Sequence, residues 1–214
     1  IKTRELRGGV YCRLISMYAA FQQTPLPEDA LPVERDLSEY LKEAGDLCAT
    51  IRQNSPTYLQ RLSVTEAEKL IKLLQPEIAA ASQIRIRPIH NDLSKSNLLF
   101  DKGEFVSFLD TDSICLSCIG RDFAEFILSS VLRYPLFRPC LSDIDAWYRV
   151  VDEKFSLPLA EYRYGLALYY ASRLTARLKQ YQKKQTFCKY LNMRRFARLY
   201  PATMAILAKI KQRP

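Results

Sequence analysis

The residues best suited to chemistry lie in one central stretch, between residues 90 and 112. Asp92 lies in a polar loop, and Asn97 follows five residues later. Asn97 begins the first of two short apolar segments, and Asp110 directly follows the second. A protein that catalyses phosphoryl transfer requires a carboxylate that accepts the proton of the attacking hydroxyl. It also requires oxygen ligands that hold Mg²⁺ on the phosphates. Asp92 is therefore the candidate base, and Asn97 and Asp110 are the candidate ligands.

A short hairpin is predicted to bring the two candidate ligands together. Residues 97–100 and 105–109 are apolar segments, and the Asp-Lys-Gly-Glu sequence between them favours a turn. Because a hairpin returns its two ends to one place, Asn97 and Asp110 should converge. An amide oxygen and a carboxylate at that point would suit Mg²⁺. The alternative is that both residues only close the hairpin, since Asn and Asp are common in turns.

Other residues of this stretch also have candidate roles. Asp112 is either a further metal ligand or a turn residue. Lys95 would neutralise charge on the transferring phosphate. His90, the single histidine of the chain, is better suited to packing and hydrogen bonding than to proton transfer. Asp92 could instead cap its own loop, a common place for Asp.

The order of these residues resembles the catalytic signature of the protein-kinase-like fold. The signature is His-x-Asp, then Asn five residues after the Asp, then a hairpin that ends in an apolar pair and Asp. The His-Asn-Asp start and the Leu-Asp-x-Asp end are similar to the aminoglycoside phosphotransferase and choline kinase superfamily. Within it, the pattern most resembles kinases of N-acetylhexosamine sugars. The resemblance is close over residues 89–126 and general elsewhere.

The resemblance implies a role for each matched residue. Asp92 would be the catalytic base, and Asn97 and Asp110 would bind Mg²⁺ and the phosphates of ATP. His90 would support the catalytic loop structurally. Asp122, at the start of the following helix, would brace that loop.

The resemblance also implies a fold and a domain organisation. The expected fold is α+β and mainly α: the C-terminal lobe of a kinase, with a small β-hairpin module among helices. Residues 1–214 are read as one such domain, because too little sequence precedes it for the smaller, nucleotide-holding lobe. The chain is then either the C-terminal lobe of a longer kinase, inactive alone, or a remnant that binds without catalysing.

The sequence departs from the family pattern next to Lys95. Many relatives carry a basic or histidine residue one position earlier, where this chain has Ser94, and this weakens the case for Lys95.

The implied function is transfer of the γ-phosphate of ATP to a hydroxyl of a small polar molecule, such as an aminoglycoside, an amino sugar or a choline-like alcohol. The alternatives are a non-catalytic kinase-like binding domain and a kinase of an anionic envelope sugar such as lipopolysaccharide. Tyr162, Tyr164 and Tyr169 would line the acceptor pocket or, as the favoured interpretation, pack in the core.

The positive charge of the chain is concentrated at its C-terminal end. The net charge is +9, and residues 171–214 contain twelve Lys and Arg and no Asp or Glu. This stretch would attract an anionic partner, or it is the solvated face of the last helices, which is the favoured interpretation. Nucleic acid is not favoured as the partner.

The remaining composition points to a cytoplasmic globular protein. No apolar segment approaches the roughly 20 residues of a membrane span, and no signal sequence is recognisable. Cys115 and Cys118 form a CxxC pair, but a zinc site would need further Cys or His ligands. Reduced, mostly buried thiols are therefore expected.

Apolar periodicity predicts the other elements. A Thr65-x-x-Glu68 capping box should begin one helix. The predicted helices are 11–21, 37–52, 65–83, 122–134, 141–155, 159–181 and 187–211, with a strand at 84–87.

Overall fold

The chain is mainly helical, with two short strand pairs set among the helices. The structure is a computed structural model that describes residues 9–26, 29, 31–54, 56–101, 104–132, 141–183 and 187–212. The helices are α1 (Gly9–Phe21), α2 (Leu37–Gln53), α3 (Tyr58–Leu74), α4 (Ile119–Leu132), α5 (Leu141–Phe155), α6 (Leu159–Lys183) and α7 (Phe187–Lys211). The strands are β1 (Arg87–Ile89), β2 (Leu98–Asp101), β3 (Glu104–Phe108) and β4 (Cys115–Ser117).

Helix α6 lies at the centre of the helical packing. It contacts α4 and α2 most extensively, and α7 covers α3 and α5. Trp147, Phe123 and Tyr170 are fully buried between these helices. Burial of such large apolar side chains is the main source of stability in a fold of this size. None of the helices in the described residues combines the length and apolar character that crossing a membrane requires.

The crossing of α4 and α6 depends on two glycines. A Cβ atom placed on Gly165 would lie 2.4 Å from the carbonyl carbon of Gly120 and 2.5 Å from the Arg121 nitrogen. Both neighbours are backbone atoms, which cannot move aside as a flexible side chain would. The start of α4 is thereby held against α6, and this fixes the position of Asp122 in the same first turn.

Replacement of Gly165 by Ala is expected to lower the free energy of unfolding by about 1–3 kcal/mol or more, because the added methyl group overpacks a backbone contact. Gly45→Ala, within α2, is the matched control. A Cβ there meets no atom within 4 Å, so the better helix former should stabilise the protein by about 0.5–1 kcal/mol. Urea unfolding followed by circular dichroism measures both changes. A neutral or stabilising Gly165→Ala would contradict this account of the crossing.

The prediction that a helix begins at Thr65 is wrong. Helix α3 begins at Tyr58, where Thr57 and Gln60 form the capping box. Thr65 lies inside the helix, and its hydroxyl donates to the Arg61 carbonyl oxygen at 3.0 Å. The sequence contains the same Thr-x-x-Glu/Gln pattern twice, and the earlier copy is used because the apolar face of the helix already begins at Leu59 and Leu62, before Thr65.

The predicted helix 65–83 also changes character at its end. After Leu74 the chain continues as a 3₁₀ helix, Gln75–Gln83, with a proline in its first turn. Pro76 has no N–H to donate to an earlier carbonyl, so the regular α-helical hydrogen bonding stops there. The segment keeps a helical direction but with tighter turns.

The two hairpin strands lie close to their predicted positions, whereas the strand before them lies later in the sequence than predicted. In the hairpin, Leu98 pairs with Phe108, within one residue of expectation. The strand predicted at 84–87 instead spans Arg87–Ile89, where it pairs antiparallel with β4. Ile84 is still part of the 3₁₀ helix end, since its N–H bonds to the Ala81 carbonyl oxygen. Pairing with a distant strand, rather than local alternation, therefore set the boundary.

Candidate active site

The loop after β1 is held by the buried carboxylate of Asp122. One Asp122 oxygen accepts from the His90 N–H at 2.7 Å and from the Tyr18 hydroxyl at 2.8 Å. The other accepts from the Asn91 N–H at 2.9 Å. Asn91 has a positive φ of 65°, a conformation that Asn tolerates better than most residues. Asp122 thus lies where the predicted brace requires.

The electrostatics of Asp122 reflect this burial. Burial raises the pKa of its carboxyl, while the nearby Arg121 charge and the hydrogen bonds from Tyr18 and His90 act in the opposite direction. A buried acceptor with several donors is costly to remove, because each donor then loses its partner. The loop conformation and the stability of the core are coupled through this residue.

His90 connects the loop to the segment that carries Asp110. Its ring is buried, and Nε2 lies 2.8 Å from the Leu109 carbonyl oxygen. Since a carbonyl only accepts, Nε2 carries the proton and donates. The His90 carbonyl oxygen in turn accepts from the Ser113 hydroxyl at 2.7 Å. This geometry fits the structural role predicted for His90 and leaves its ring away from open solvent.

Asn97 lies directly against the candidate base. Its amide nitrogen donates to the Asp92 carbonyl oxygen and to one carboxylate oxygen of Asp92, both at 2.9 Å. The backbone carbonyl oxygen of Asn97 accepts from the Leu109 N–H at 2.8 Å. This hydrogen bond brings the end of β3 next to Asn97. Asp110 follows with φ 57° and is exposed. The structure therefore places Asp92 against Asn97 and sets Leu109, the residue before Asp110, beside Asn97; convergence of the Asp110 side chain on Asn97 stays a prediction.

The side chains at this point suit Mg²⁺. Asn97 donates its two hydrogen bonds through nitrogen, so its amide oxygen remains available as a ligand. No residue in the described ranges hydrogen-bonds the Asp110 carboxylate, and Asp112 lies exposed in the following 3₁₀ turn, Thr111–Ser113. Among described residues no three His, Cys, Asp or Glu side chains form a metal-binding group. That is compatible with Mg²⁺, which takes one or two carboxylates and completes its shell with phosphates and water.

Lys95 lies in the 3₁₀ turn Lys95–Asn97, between the base and the first ligand, and is partly buried. The hydroxyls of Ser94 and Ser96 lie 2.7 Å apart across the same turn. The position is compatible with the proposed charge-neutralising role, which stays a prediction.

Comparison with known proteins gives one family match. Residues 2–158 match the model of the phosphotransferase enzyme family, APH. The chain belongs to this family. No curated protein sequence matches the chain significantly.

Two solved structures have the same fold as this chain. An aminoglycoside phosphotransferase from Alicyclobacillus acidocaldarius is 16% identical with a TM-score of 0.61, over 94% of this chain and 65% of that one. The ADP-bound aminoglycoside phosphotransferase APH(2'')-Ib is 12% identical with a TM-score of 0.52, over 96% and 63%. The kinase-like fold is confirmed, and the chain spans somewhat less than two thirds of each neighbour. The likeness to N-acetylhexosamine kinases finds no counterpart here and stays a prediction.

A charge network beside Asp92 in this phosphotransferase-family chain, buried except for Arg173 and Asp92, was missed by the sequence analysis. Arg173 of α6 lies 3.6 Å from the second carboxylate oxygen of Asp92 and forms an ion pair with Glu125. Arg121 joins Glu125 at 3.4 Å and Glu34 at 3.2 Å. Only the spacing of Arg121 and Glu125, four residues apart on one helix, gave a local signal. The contact of Arg173 with Asp92 is visible only in three dimensions.

The three tyrosines considered for an acceptor pocket are buried in the core. Tyr162 donates to the Asp152 carboxylate at 3.2 Å, and Tyr164 accepts from the Leu37 N–H at 3.5 Å. Tyr169 is equally buried. Core packing, the favoured interpretation, is therefore correct, and the pocket-lining alternative is wrong.

The CxxC cysteines contact different partners. The Cys115 thiol donates to Glu34 at 3.8 Å, and the Cys118 thiol donates to the Glu161 carbonyl oxygen at 3.4 Å. Burial raises the pKa of each thiol to about 12. Both are thus buried, protonated thiols at neutral pH. Cys48 is buried as well, whereas Cys12 is exposed, so three of the four cysteines whose side chains the structure describes are buried, as expected.

Proposed function

We propose that this chain is the catalytic lobe of an ATP-dependent phosphotransferase that moves the γ-phosphate to a hydroxyl of a small polar molecule. The observation that carries the proposal is the contact of Asn97 with Asp92 at 2.9 Å, next to the segment that presents Asp110. A carboxylate base beside two oxygen ligands is the arrangement that phosphoryl transfer requires. Membership of the phosphotransferase family supports the same reaction class.

Each residue has a defined task in the proposed reaction. Asp92 orients the acceptor hydroxyl and takes its proton as the oxygen attacks phosphorus. The hydrogen bond from Asn97 fixes the direction of the Asp92 carboxylate, and Asp122 fixes the loop behind it. Asn97 and Asp110 would hold Mg²⁺, with Asp112 as a possible further ligand. When bound, the cation neutralises charge on the phosphates of ATP.

The active enzyme in this proposal also includes a smaller, β-rich lobe that holds the nucleotide, so the chain of 214 residues would be inactive alone. The acceptor classes are aminoglycosides, amino sugars and choline-like alcohols. The described aminoglycoside phosphotransferase neighbours make the first class the natural starting point.

An acceptor panel tests the proposal. Full-length protein is incubated with ATP, Mg²⁺ and one candidate alcohol at a time, and phosphorylated product is measured by mass spectrometry. We expect product with at least one acceptor, loss of product on adding EDTA, and recovery with excess Mg²⁺. Absence of product with every acceptor, together with no binding of ATP, would favour the non-catalytic binding domain.

A further inference from the structure

A groove between α6 and α7 leads away from the candidate base. It has a volume of about 300 Å³, the lower end of the range for small-molecule sites. Its polar lining consists of Arg173, Arg177, Gln180, Lys189 and Asn192. Three of these five side chains are cationic, and none is acidic.

The parts of α6 and α7 that line this groove contain no acidic residue. No Asp or Glu occurs between residues 171 and 214. The Arg177 guanidinium lies over the Phe196 ring at 4.6 Å, and no carboxylate in the described ranges pairs with it. Lys179, on another face of α6, behaves differently, since its ammonium pairs with Glu43 at 2.6 Å. Arg173 is paired with Glu125 and Asp92, so Arg177 is the groove cation for which the described residues supply no carboxylate, and the lining carries three basic side chains and no acidic one.

The two oxygens of the Asp92 carboxylate face opposite neighbours. One accepts from Asn97, on the side of the candidate metal ligands. The other lies 3.6 Å from Arg173, which is also the first residue of the groove. A general base must lie within hydrogen-bond reach of the proton that it accepts, and this second oxygen is the one to which Asn97 does not donate. An acceptor on that side of Asp92 would lie next to Arg173 and the groove.

We propose that this groove binds an anionic acceptor: a small alcohol that bears a phosphate or carboxylate group and presents its hydroxyl to Asp92. This inference rests on the proposed phosphotransferase function, since it assigns the acceptor of that reaction. Arginine guanidinium groups bind phosphate and carboxylate in bidentate fashion. A polycationic aminoglycoside or a choline-like cation would be repelled by the same side chains, so this inference narrows the acceptor classes proposed above to anionic sugars and other anionic alcohols.

The state of Arg173 supports the assignment. Its side chain is 41% exposed, so it is open to a ligand although it is paired with Glu125 and Asp92. Partial burial lowers the pKa of Arg173, and the neighbouring Arg121 charge lowers it further. An anionic group in the groove would stabilise the charged guanidinium through the same kind of Coulomb interaction that the Asp92 carboxylate supplies.

Binding to the full-length protein tests the inference without requiring turnover. Titration calorimetry compares glucose 6-phosphate and glucuronate with glucose, and glycerol 3-phosphate with glycerol, with inorganic phosphate as the anion that lacks a hydroxyl-bearing carbon frame. At least one anionic alcohol should bind more than about tenfold more tightly than its neutral partner, the effect of one charge-assisted hydrogen bond. It should also bind more tightly than inorganic phosphate.

Two groove variants and one control complete the experiment. Arg177→Gln and Lys189→Gln should each weaken binding of that anionic alcohol about tenfold, and Lys179→Gln should leave it unchanged. Thermal unfolding of each variant verifies folding. If one groove variant is unstable, binding to the other groove variant tests the inference.

Three results would overturn the inference: equal or tighter binding of the neutral partners, equal losses in the groove variants and the control, or inorganic phosphate binding as tightly as every anionic alcohol. None of these would affect the role of Asp92, which the acceptor panel tests separately. If an anionic alcohol binds as expected but is never phosphorylated, the phosphotransferase proposal fails and only an anion-binding groove remains.

Discussion

Replacement of Asp92 by Asn should reduce phosphate transfer by about 10²–10⁴-fold, the usual contribution of a general base. The amide has the same size but cannot accept the proton of the acceptor hydroxyl. Its oxygen can still accept from the Asn97 amide, which now bonds Asp92 at 2.9 Å. The loop geometry should therefore survive, and kcat should fall with little change in the unfolding temperature.

Asp101→Asn is the matched control for this variant. Asp101 is exposed at the end of β2, in the same hairpin but outside the candidate site. Steady-state kinetics with the acceptor identified in the panel, together with thermal unfolding, compare the two variants. If Asp92→Asn keeps turnover comparable to Asp101→Asn, Asp92 is not the base.

Replacement of Asp122 by Ala should destabilise the protein by several kcal/mol, since an unsatisfied buried donor costs about 1–3 kcal/mol. The substitution removes the acceptor for the Tyr18 hydroxyl and for the His90 and Asn91 N–H groups. The loop that carries Asp92 would lose its attachment to α4. Urea unfolding at pH 7 measures the change in the free energy of unfolding.

Tyr18→Phe separates this effect from simple loss of a hydrogen bond. It removes one of the three donors and leaves the Asp122 carboxylate bound to the loop, so the cost should be about 1 kcal/mol. A loss in Asp122→Ala no greater than that in Tyr18→Phe would show that the loop does not depend on Asp122.

The candidate site could be predicted from sequence because its parts are close in the chain. Asn97 and Asp110 are separated by a hairpin whose turn residues and apolar segments are local signals. The family signature added Asp122, which lies twelve residues beyond Asp110. These contacts form whenever the hairpin and the start of α4 fold correctly.

Local signals failed where the sequence offered equivalent choices. Thr57 and Thr65 both begin a capping-box pattern, and the structure uses the first. Residues 84–87 alternate like a strand, yet pairing with Cys115–Ser117 moved the strand to Arg87–Ile89. A hydrogen-bonding partner far along the chain decides such cases, and periodicity carries no information about it.

By itself, the sequence determined which chemical groups are available to the candidate site: a carboxylate, an amide and a second carboxylate at fixed spacing around a tight turn. It also determined that the last two helices are basic. Only the tertiary structure decided where that positive charge lies relative to the base, by packing α6 so that Arg173 contacts Asp92 across 81 residues of sequence. The physical reason is that helix crossings depend on complementary surfaces, here the close contact of Gly165 with Gly120, rather than on any signal within one segment.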